Sequence, residues 1–199
     1  MKSLQELAAI RDRMKQTVQT RELSPDCTRV VVGMATCGIA AGARPVLAEI
    51  QALVVSTAGS NPRRTSNGFD YNRFAMLLAV LDKRGGLKVS ACDAYLNIIG
   101  GLWLDEPAAD LAAVIALASS YLDRPVPGDL VAVGEVGLTG ELRSVSHLEQ
   151  RISEIHRLGF RRCVVPRRRT GALTAPPGLD LIPAGNIGEA IRAALGARG

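Results

Sequence analysis

The sequence lacks several signals that mark common classes of enzyme and membrane protein. No Gly-Lys dipeptide occurs in its 199 residues, so the chain has no P-loop for nucleotide phosphates. No apolar run approaches the ~20 residues that a helix needs to span a bilayer. Residues 1–7 also lack the apolar core of a signal peptide. We therefore expect a cytoplasmic protein without a membrane partner.

Cysteine and histidine are too few and too scattered for a metal centre. The chain has no Cys-x-x-Cys pair, and neither His147 nor His156 stands at ligand spacing from a cysteine. A disulfide framework is equally unexpected in a cytosolic chain of this size. We therefore expect no metal and no cofactor, and mostly buried, unreactive thiols among the four cysteines, Cys27, Cys37, Cys92 and Cys163.

The net charge of +5 hides an uneven distribution. Of the 24 basic residues, 20 are arginine, a bias that suits bidentate contacts to phosphate or carboxylate groups and that a GC-rich genome also produces. Residues 105–141 hold seven acids and one arginine, whereas residues 143–169 hold eight arginines and two acids. Opposite charges of this size suit a nucleic-acid partner or a contact between subunits.

Lysine is absent after Lys88, which bears directly on nucleophilic catalysis. A serine activated by a lysine needs both groups within hydrogen-bond reach, usually with the serine at the start of a helix. The predicted helix opening at residues 105–110 has that setting but offers Ala108 in place of a hydroxyl. The C-terminal half therefore cannot hold a serine–lysine site.

The apolar spacing predicts alternating helices and strands. Residues 3–19, 70–83, 107–121 and 187–195 have helical periodicity, and a further helix opens with a capping box at Ser146 and ends at Gly159. Strands are predicted at residues 28–32, 46–55, 95–99, 130–133, 162–165 and 179–182, with a hairpin or loop at 134–143 and a polar loop at 56–68. The pattern indicates an α/β (α+β) domain with a mixed sheet packed by helices.

Six collinear stretches carry a specific family resemblance. They are residues 44–54, 61–73 (Asn-Pro-Arg-Arg-Thr-Ser-Asn-Gly-Phe-Asp-Tyr-Asn-Arg), 77–84, 100–110 (Gly-Gly-Leu-Trp-Leu-Asp-Glu-Pro-Ala-Ala-Asp), 134–143 (Gly-Glu-Val-Gly-Leu-Thr-Gly-Glu-Leu-Arg) and 148–151. Through them, residues 44–199 resemble the C-terminal, Lon-protease-like domain of the bacterial RadA (Sms) family of recombination proteins.

The resemblance implies a Lon-protease-like fold of the ribosomal-S5-domain-2 type, a homohexameric ring, and work on branched or single-stranded DNA in recombinational repair. It also implies a recombinase as a partner of the full-length family. Ala108 falls at the Lon nucleophile and Glu149 at the Lon lysine, so we expect no peptidase activity. The ATPase module of the family has no counterpart in this chain. The expected function is therefore DNA binding and ring formation without catalysis.

Residues 1–43 resemble something else, the start of small thioredoxin-like [2Fe-2S] ferredoxins. Cys37 matches the first cluster ligand of that family, but the segment with the later ligands has no counterpart, so we expect no cluster. We divide the chain into a ferredoxin-like remnant at 1–43 and a RadA-type domain at 44–199. Residues 30–34 are expected to pair with the strand at 46–55, in place of a missing RadA strand.

The predicted DNA contacts are basic residues in three segments. Around the polar loop and its following helix they are Arg63, Arg64, Arg73, Lys83, Arg84 and Lys88, and around a later strand they are Arg161, Arg162, Arg167, Arg168 and Arg169. Arg64 and Arg73 rank highest because they lie in the RadA-like motif; the alternative is that they pair with Asp105, Glu106 or Asp110 across a subunit boundary. With seven aromatic residues, and Tyr71 and Phe74 expected in the core, no base-stacking platform is predicted.

Three alternatives stay open at this level. The domain could serve only to assemble subunits, with DNA handled elsewhere in the protein. It could be a working Lon-type peptidase, which Ala108 and Glu149 oppose. It could be an iron–sulfur electron carrier, which the single matching cysteine opposes.

Overall fold

The computed structural model describes residues 47–57, 61–167 and 173–196, and the backbone of residues 29–33. Predictions for residues 3–19, Cys27, Cys37, Arg168 and Arg169 lie outside these ranges. Two 3-10 turns, Val89–Ala91 and Pro107–Ala109, join the regular elements. The strands are β1 (Arg29–Gly33), β2 (Leu47–Ser56), β3 (Arg64–Asn67), β4 (Cys92–Ile98), β5 (Leu130–Ala132), β6 (Glu135–Val136), β7 (Leu142–Arg143), β8 (Arg162–Pro166) and β9 (Asp180–Ala184), and the helices are α1 (Tyr71–Gly85), α2 (Asp110–Leu122), α3 (Leu148–Arg157) and α4 (Ile187–Leu195).

Seven strands form one mixed sheet in the order β3-β4-β2-β1-β5-β8-β9. Only β2 runs antiparallel to its neighbours, and every other pair in the sheet is parallel. Six strands therefore begin at the same edge of the sheet, which we call the amino edge, and end at the opposite one, the carboxyl edge. The mixed sheet packed by helices confirms the predicted fold class. β6 and β7 form a separate hairpin, as expected for residues 134–143.

Strand β1, which we predict to precede the RadA-like region, lies in the middle of this sheet. β1 pairs antiparallel with β2, with Val30 opposite Ile50, and parallel with β5, with Val31 opposite Val131. The predicted pairing of this segment with the strand at 46–55 is therefore confirmed.

The helices cover the two faces of the sheet unequally. The larger core cluster joins α1, α2 and α4 to residues of β2, β4 and β5 such as Ile50, Leu96 and Leu130. The smaller cluster joins α3 to the opposite face of β5 and β8 through Val131 and Cys163. In the part of the chain with described coordinates, no helix is long and apolar enough to cross a membrane.

Helix α1 begins and ends as its sequence predicts. The Asp70 side chain accepts a hydrogen bond from the backbone N–H of Arg73 at 2.7 Å, which caps the amino end. Gly86, in the left-handed region at φ 66°, ends the helix, and its N–H donates to the Leu81 carbonyl. The helix buries Phe74, Leu78 and Leu81 as predicted, but Tyr71 is 52% exposed, so its prediction as a core residue is wrong.

Strand β3 interrupts the segment that was predicted to be a polar loop. It pairs parallel with β4 at the edge of the sheet, and its residues alternate between half-buried and exposed. The sequence Arg-Thr-Ser-Asn contains no apolar residue, because an edge strand with little burial needs none. Apolar alternation therefore could not reveal this strand.

Helix α3 starts without the predicted capping box. Its first residue is Leu148, and the N-cap is His147, which is in the left-handed region at φ 54° and makes no side-chain cap. The Ser146 carbonyl instead accepts a hydrogen bond from Nε of Arg151 at 2.9 Å. The turn before α3 is therefore held through a backbone carbonyl of Ser146 and a buried arginine, and the N-cap position falls on His147 instead of Ser146.

Candidate functional site

Ala108 occupies an enclosed apolar position. It lies in the 3-10 turn that leads into α2, is fully buried, and belongs to the same cluster as Leu148 and Ile152 of α3. Its carbonyl accepts a hydrogen bond from the Gly134 backbone at 3.0 Å. The position assigned to the Lon nucleophile thus carries a methyl group packed against α3.

Glu149 lies in the first turn of α3 and is exposed, whereas the buried side of that helix presents Leu148, Arg151, Ile152 and Ile155. The two positions that would supply a serine–lysine pair therefore hold a buried methyl group and an exposed carboxylate. Neither group can attack a peptide bond in the manner of a serine–lysine pair.

A buried ion pair lies next to this position. Arg151 is completely buried, and its Nη2 is 3.3 Å from Oε2 of Glu106, which is itself nearly buried. Separating the two residues would leave a buried charge unpaired, which is very costly. The ion pair therefore keeps the segment before Ala108 in contact with α3. This ion pair was not predicted from the sequence. Its signal was an arginine, Arg151, at a position that shares the apolar spacing of Leu148, Ile152 and Ile155.

A second ion pair joins α1 to α2. Nε and Nη2 of Arg73 donate to Oδ1 and Oδ2 of Asp110 at 2.5 and 2.6 Å, and the Val136 backbone N–H donates to Oδ2 at 3.1 Å. Asp110 is fully buried. The hydrogen bond to Asp110 raises the pKa of Arg73 above its ordinary value. One of the highest-ranked DNA candidates is thus bound to a carboxylate of its own chain.

Three other predicted DNA contacts lie close together at the amino edge. Arg63 and Arg64 stand where β3 begins, and Lys88 precedes β4. Nη2 of Arg64 donates to the Ser90 carbonyl at 2.9 Å, while its buried Nη1 has no partner within the described residues. We call Arg63, Arg64 and Lys88 the basic corner.

Two carboxylates hold the basic corner in place, and Oδ1 of Asp93 accepts a hydrogen bond from the Arg63 backbone N–H at 2.8 Å. Oδ2 of Asp82 accepts a hydrogen bond from the Ser90 backbone at 2.9 Å, which joins the end of α1 to the turn before β4. Hydrogen bonds from Ser90, with smaller effects from the charges of Arg64 and Lys88, lower the pKa of Asp82. Arg63 is exposed, and within the described part of the chain neither Arg63 nor Lys88 forms an ion pair.

Arg161 and Arg162 lie at the same edge, where β8 begins. Arg162 is bound to Asp129 by two hydrogen bonds, one of them 3.1 Å from Nε to Oδ2. Arg161 is exposed and lines a shallow cavity with His156 and Phe160. Because β8 is five positions from β3 in the sheet, about 24 Å separates Arg161 from the basic corner along the hydrogen-bonding direction.

The remaining predicted cations are not part of the basic corner: Arg167 lies at the opposite edge, and Lys83 and Arg84 follow Asp82 in the last turn of α1. Arg167 follows β8 at the carboxyl edge and pairs with Glu189 at 2.7 Å. Lys83 and Arg84 are exposed in the last turn of α1, where Arg84 packs against Gly140. The structure therefore brings together Arg63, Arg64 and Lys88 and separates them from Arg73 and Arg167.

The described cysteines do not form a site. Cys163 is buried, and loss of solvent raises the pKa of its thiol to about 12. Cys92 is half-buried at the start of β4. Within the described ranges, no three His, Cys, Asp or Glu side chains are grouped so that they could hold a metal ion.

Comparisons with known proteins agree with this architecture. Residues 98–196 match the family model of the Lon protease (S16) C-terminal proteolytic domain. The DNA repair protein RadA of Bacillus subtilis is 51% identical over 156 residues, which are 78% of this chain and 34% of that protein. RadA of Synechocystis is 48% identical over 77% of this chain and 30% of its own length, and RadA of Halalkalibacterium halodurans is 42% identical over 83% and 36%.

The chain thus spans about a third of the length of these curated relatives. The family model takes its name from proteolysis, whereas the relatives are named for DNA repair. The family model covers the C-terminal half of the chain, and the identity to RadA proteins extends over 77 to 83% of it. The chain therefore belongs to the RadA family of DNA repair proteins and carries its C-terminal Lon-like domain.

Proposed function

We propose that this chain acts in DNA repair as a DNA-binding and self-associating domain, and that it does not cleave peptides. The observation that supports DNA binding is the position of the basic corner. Arg63, Arg64 and Lys88 come from segments far apart in sequence, yet the fold places them together at the amino edge of the sheet.

The basic corner has the properties of a phosphate-binding surface. Arg63 and Lys88 are exposed and form no ion pair among the described residues, and half-buried Arg64 adds a third positive charge beside them. Arg161 adds an exposed cation about 24 Å along the same edge. Since one base pair advances duplex DNA by about 3.4 Å, this distance spans roughly seven base pairs. Single-stranded or branched DNA could follow the same edge.

Fluorescence anisotropy with labelled single-stranded, duplex and forked DNA tests this proposal. The variant combines Arg63→Ala, Arg64→Ala and Lys88→Ala. Each lost phosphate contact should flatten the slope of log affinity against log salt concentration by about 0.9 on duplex DNA. The triple variant should therefore bind more weakly at low salt and show a slope smaller by roughly 2 to 3. An unchanged affinity and slope would exclude the basic corner.

A charge-matched control separates a specific surface from bulk charge. Arg143→Ala, Arg157→Ala and Arg167→Ala together remove the same number of charges, but each of these arginines already pairs with a carboxylate in the chain. This control should bind DNA nearly as tightly as the unmodified protein. Equal losses in the two triple variants would show that only net charge matters.

The lack of peptidase activity follows from the groups at positions 108 and 149. Ala108 has no hydroxyl and is buried, and Glu149 offers a carboxylate on the outer side of α3. We expect no cleavage of casein by the purified chain or by the Glu149→Gln variant, whose substitution lies at an exposed position. Cleavage by the unmodified chain that Glu149→Gln abolishes would contradict this part of the proposal.

Self-association without DNA binding is the second candidate function. It is favoured by Arg73, Arg162 and Arg167, three predicted DNA contacts that are bound to carboxylates of the same chain. Light scattering with and without DNA distinguishes the two functions. A ring, for which a hexamer is expected, that forms equally well without DNA and does not retain labelled DNA would favour assembly alone.

A further inference from the structure

A second exposed surface lies at the other end of β3 and β4, away from the basic corner. Trp103 is 65% exposed and Leu102 is 37% exposed in the loop after β4, and Tyr71 is exposed at the start of α1. Asp105, two residues beyond Trp103, is also exposed. We call Tyr71, Leu102, Trp103 and Asp105 the tryptophan patch. Aromatic side chains exposed to this extent are typical of protein interaction sites.

The backbone holds the tryptophan patch in one conformation. Leu104 forms a parallel bridge with Phe69, and its N–H donates to the Gly68 carbonyl at 2.8 Å. Gly68 has φ 74°, and a Cβ atom there would clash with the Leu102 carbonyl oxygen, so only glycine allows this close approach. Because the loop is already ordered, a partner would not lose affinity by ordering it.

The charge around the patch is negative. Asp105 is exposed and forms no ion pair among the described residues. Glu135, whose charge like that of Asp105 raises the pKa of Arg73, pairs with Arg143 at 3.4 Å. Arg73 is bound on two atoms by Asp110. The unpaired charge beside the patch is therefore the Asp105 carboxylate, which disfavours a phosphate backbone and favours a positively charged segment.

We propose that the tryptophan patch binds a positively charged segment of another protein through a bulky apolar side chain that packs on Trp103 and Leu102. This inference goes beyond the proposed function and does not depend on DNA binding. Since the patch and the basic corner lie at opposite ends of β3 and β4, one molecule can hold both ligands at once. The domain would then attach a basic protein segment to DNA that it already binds.

The tryptophan fluorescence of the protein reports on this patch alone, because Trp103 is the only tryptophan in the sequence. The probe is a synthetic amphipathic peptide of lysine and leucine, and two control peptides carry glutamate in place of lysine or serine in place of leucine. The lysine–leucine peptide should shift Trp103 emission to shorter wavelength, and neither control peptide should do so. Equal shifts with all three peptides would overturn the proposal.

Variants identify the contributing residues. Asp105→Lys should weaken peptide binding at least about tenfold, equivalent to about 1.4 kcal/mol. Trp103→Ala should abolish binding of a dye-labelled peptide in anisotropy. Leu138→Ala is the matched control, since Leu138 is 70% exposed but lies in the turn of the β6–β7 hairpin, and it should bind normally. Equal losses in Leu138→Ala and Trp103→Ala would contradict a specific patch.

Other occupants give distinct results, each of which would overturn the proposal. Emission typical of a buried indole in the free protein at high dilution would mean that the chain itself covers Trp103. A shift that depends on protein concentration alone would indicate a second copy. A shift with single-stranded DNA that exceeds the shift with the peptide would indicate a nucleic acid.

The basic-corner variant distinguishes this proposal from the proposed function. It should lose DNA binding and still bind the lysine–leucine peptide.

Discussion

The guanidinium of Arg73 lies against the carboxylate of Asp110 with both pairs of facing atoms within 2.6 Å. These residues are 37 positions apart and come from the beginnings of α1 and α2. The same carboxylate accepts a hydrogen bond from Val136, so one ion pair joins two helices and the β6–β7 hairpin. Arg73 therefore has a structural partner that DNA would have to displace.

Removal of Arg73 should destabilise the fold. Arg73→Ala leaves the buried Asp110 without its counterion, and we expect the free energy of unfolding to fall by on the order of 3 kcal/mol. Urea denaturation measures this change. Arg157→Ala, which breaks the exposed pair with Glu154, is the control and should cost less than about 1 kcal/mol. Similar losses of unfolding free energy in the two variants would mean that the Arg73–Asp110 pair stabilises the fold no more than the Arg157–Glu154 pair does.

Two aromatic residues in α1 should differ sharply in their effect on stability. Phe74 is fully buried, so Phe74→Ala should lower the free energy of unfolding by about 3 to 5 kcal/mol. Tyr71 is about half exposed, so Tyr71→Ala should lower it by less than about 1 kcal/mol. Thermal and urea unfolding of both variants provide the comparison. A large loss from Tyr71→Ala would place its ring in a core.

The β6–β7 hairpin should respond to acid through Glu141. A hydrogen bond from the Thr139 hydroxyl, a backbone N–H and Arg143 lower the pKa of Glu141 from 4.5 to about 2. A carboxyl whose pKa is lower in the folded state stabilises that state above pH 4.5, and this contribution is lost as the pH falls towards 2.

The Glu141→Gln variant measures that contribution. The difference in melting temperature between the unmodified protein and this variant should be largest above pH 5 and should close towards pH 2. Glu154→Gln, which removes a carboxylate bound to Arg157 on α3, reports the general effect of losing one ion-paired acid. A difference for Glu141→Gln that is constant from pH 7 to pH 2 would show that its carboxylate is not held in this way.

The two described cysteines should react at very different rates. Burial raises the pKa of the Cys163 thiol to about 12, so almost no thiolate is present at pH 8. Cys92 is half-buried at the start of β4. Iodoacetamide at pH 8, followed by peptide mass mapping, should label Cys92 and spare Cys163 until urea is added. Rapid labelling of Cys163 in the native protein would show that the strand β8 opens readily.

Sequence periodicity predicted most of this fold because its helices bury regular apolar faces. Leu111 and Ile115 in α2, and Leu148, Ile152 and Ile155 in α3, are buried as their spacing indicates. Strand β3 escaped detection because it is a polar edge strand. The start of α3 was predicted incorrectly because the Ser-x-x-Glu pattern could not show that His147, at φ 54°, is the residue that precedes the helix.

The candidate site was less predictable than the fold, since charge alone does not reveal which cations are already paired. Arg73 ranked above Arg63 and Lys88 in the sequence, and Arg162 and Arg167 ranked with them, yet each of these three arginines is bound to a carboxylate distant in sequence. Only the three-dimensional arrangement separates the two groups. Trp103 was likewise invisible, because an exposed aromatic residue has no periodic signature.

The position of β1 limits how this chain can be divided. Residues 29–33 lie between β2 and β5, with three strands on one side and three on the other. A protein cut after residue 43 would lose the strand that connects the two halves of the sheet, and each half would present an open backbone edge to other molecules. Residues 29–33, which we expect to lie outside the RadA-like region, therefore keep the sheet continuous, so any shortened form must retain them.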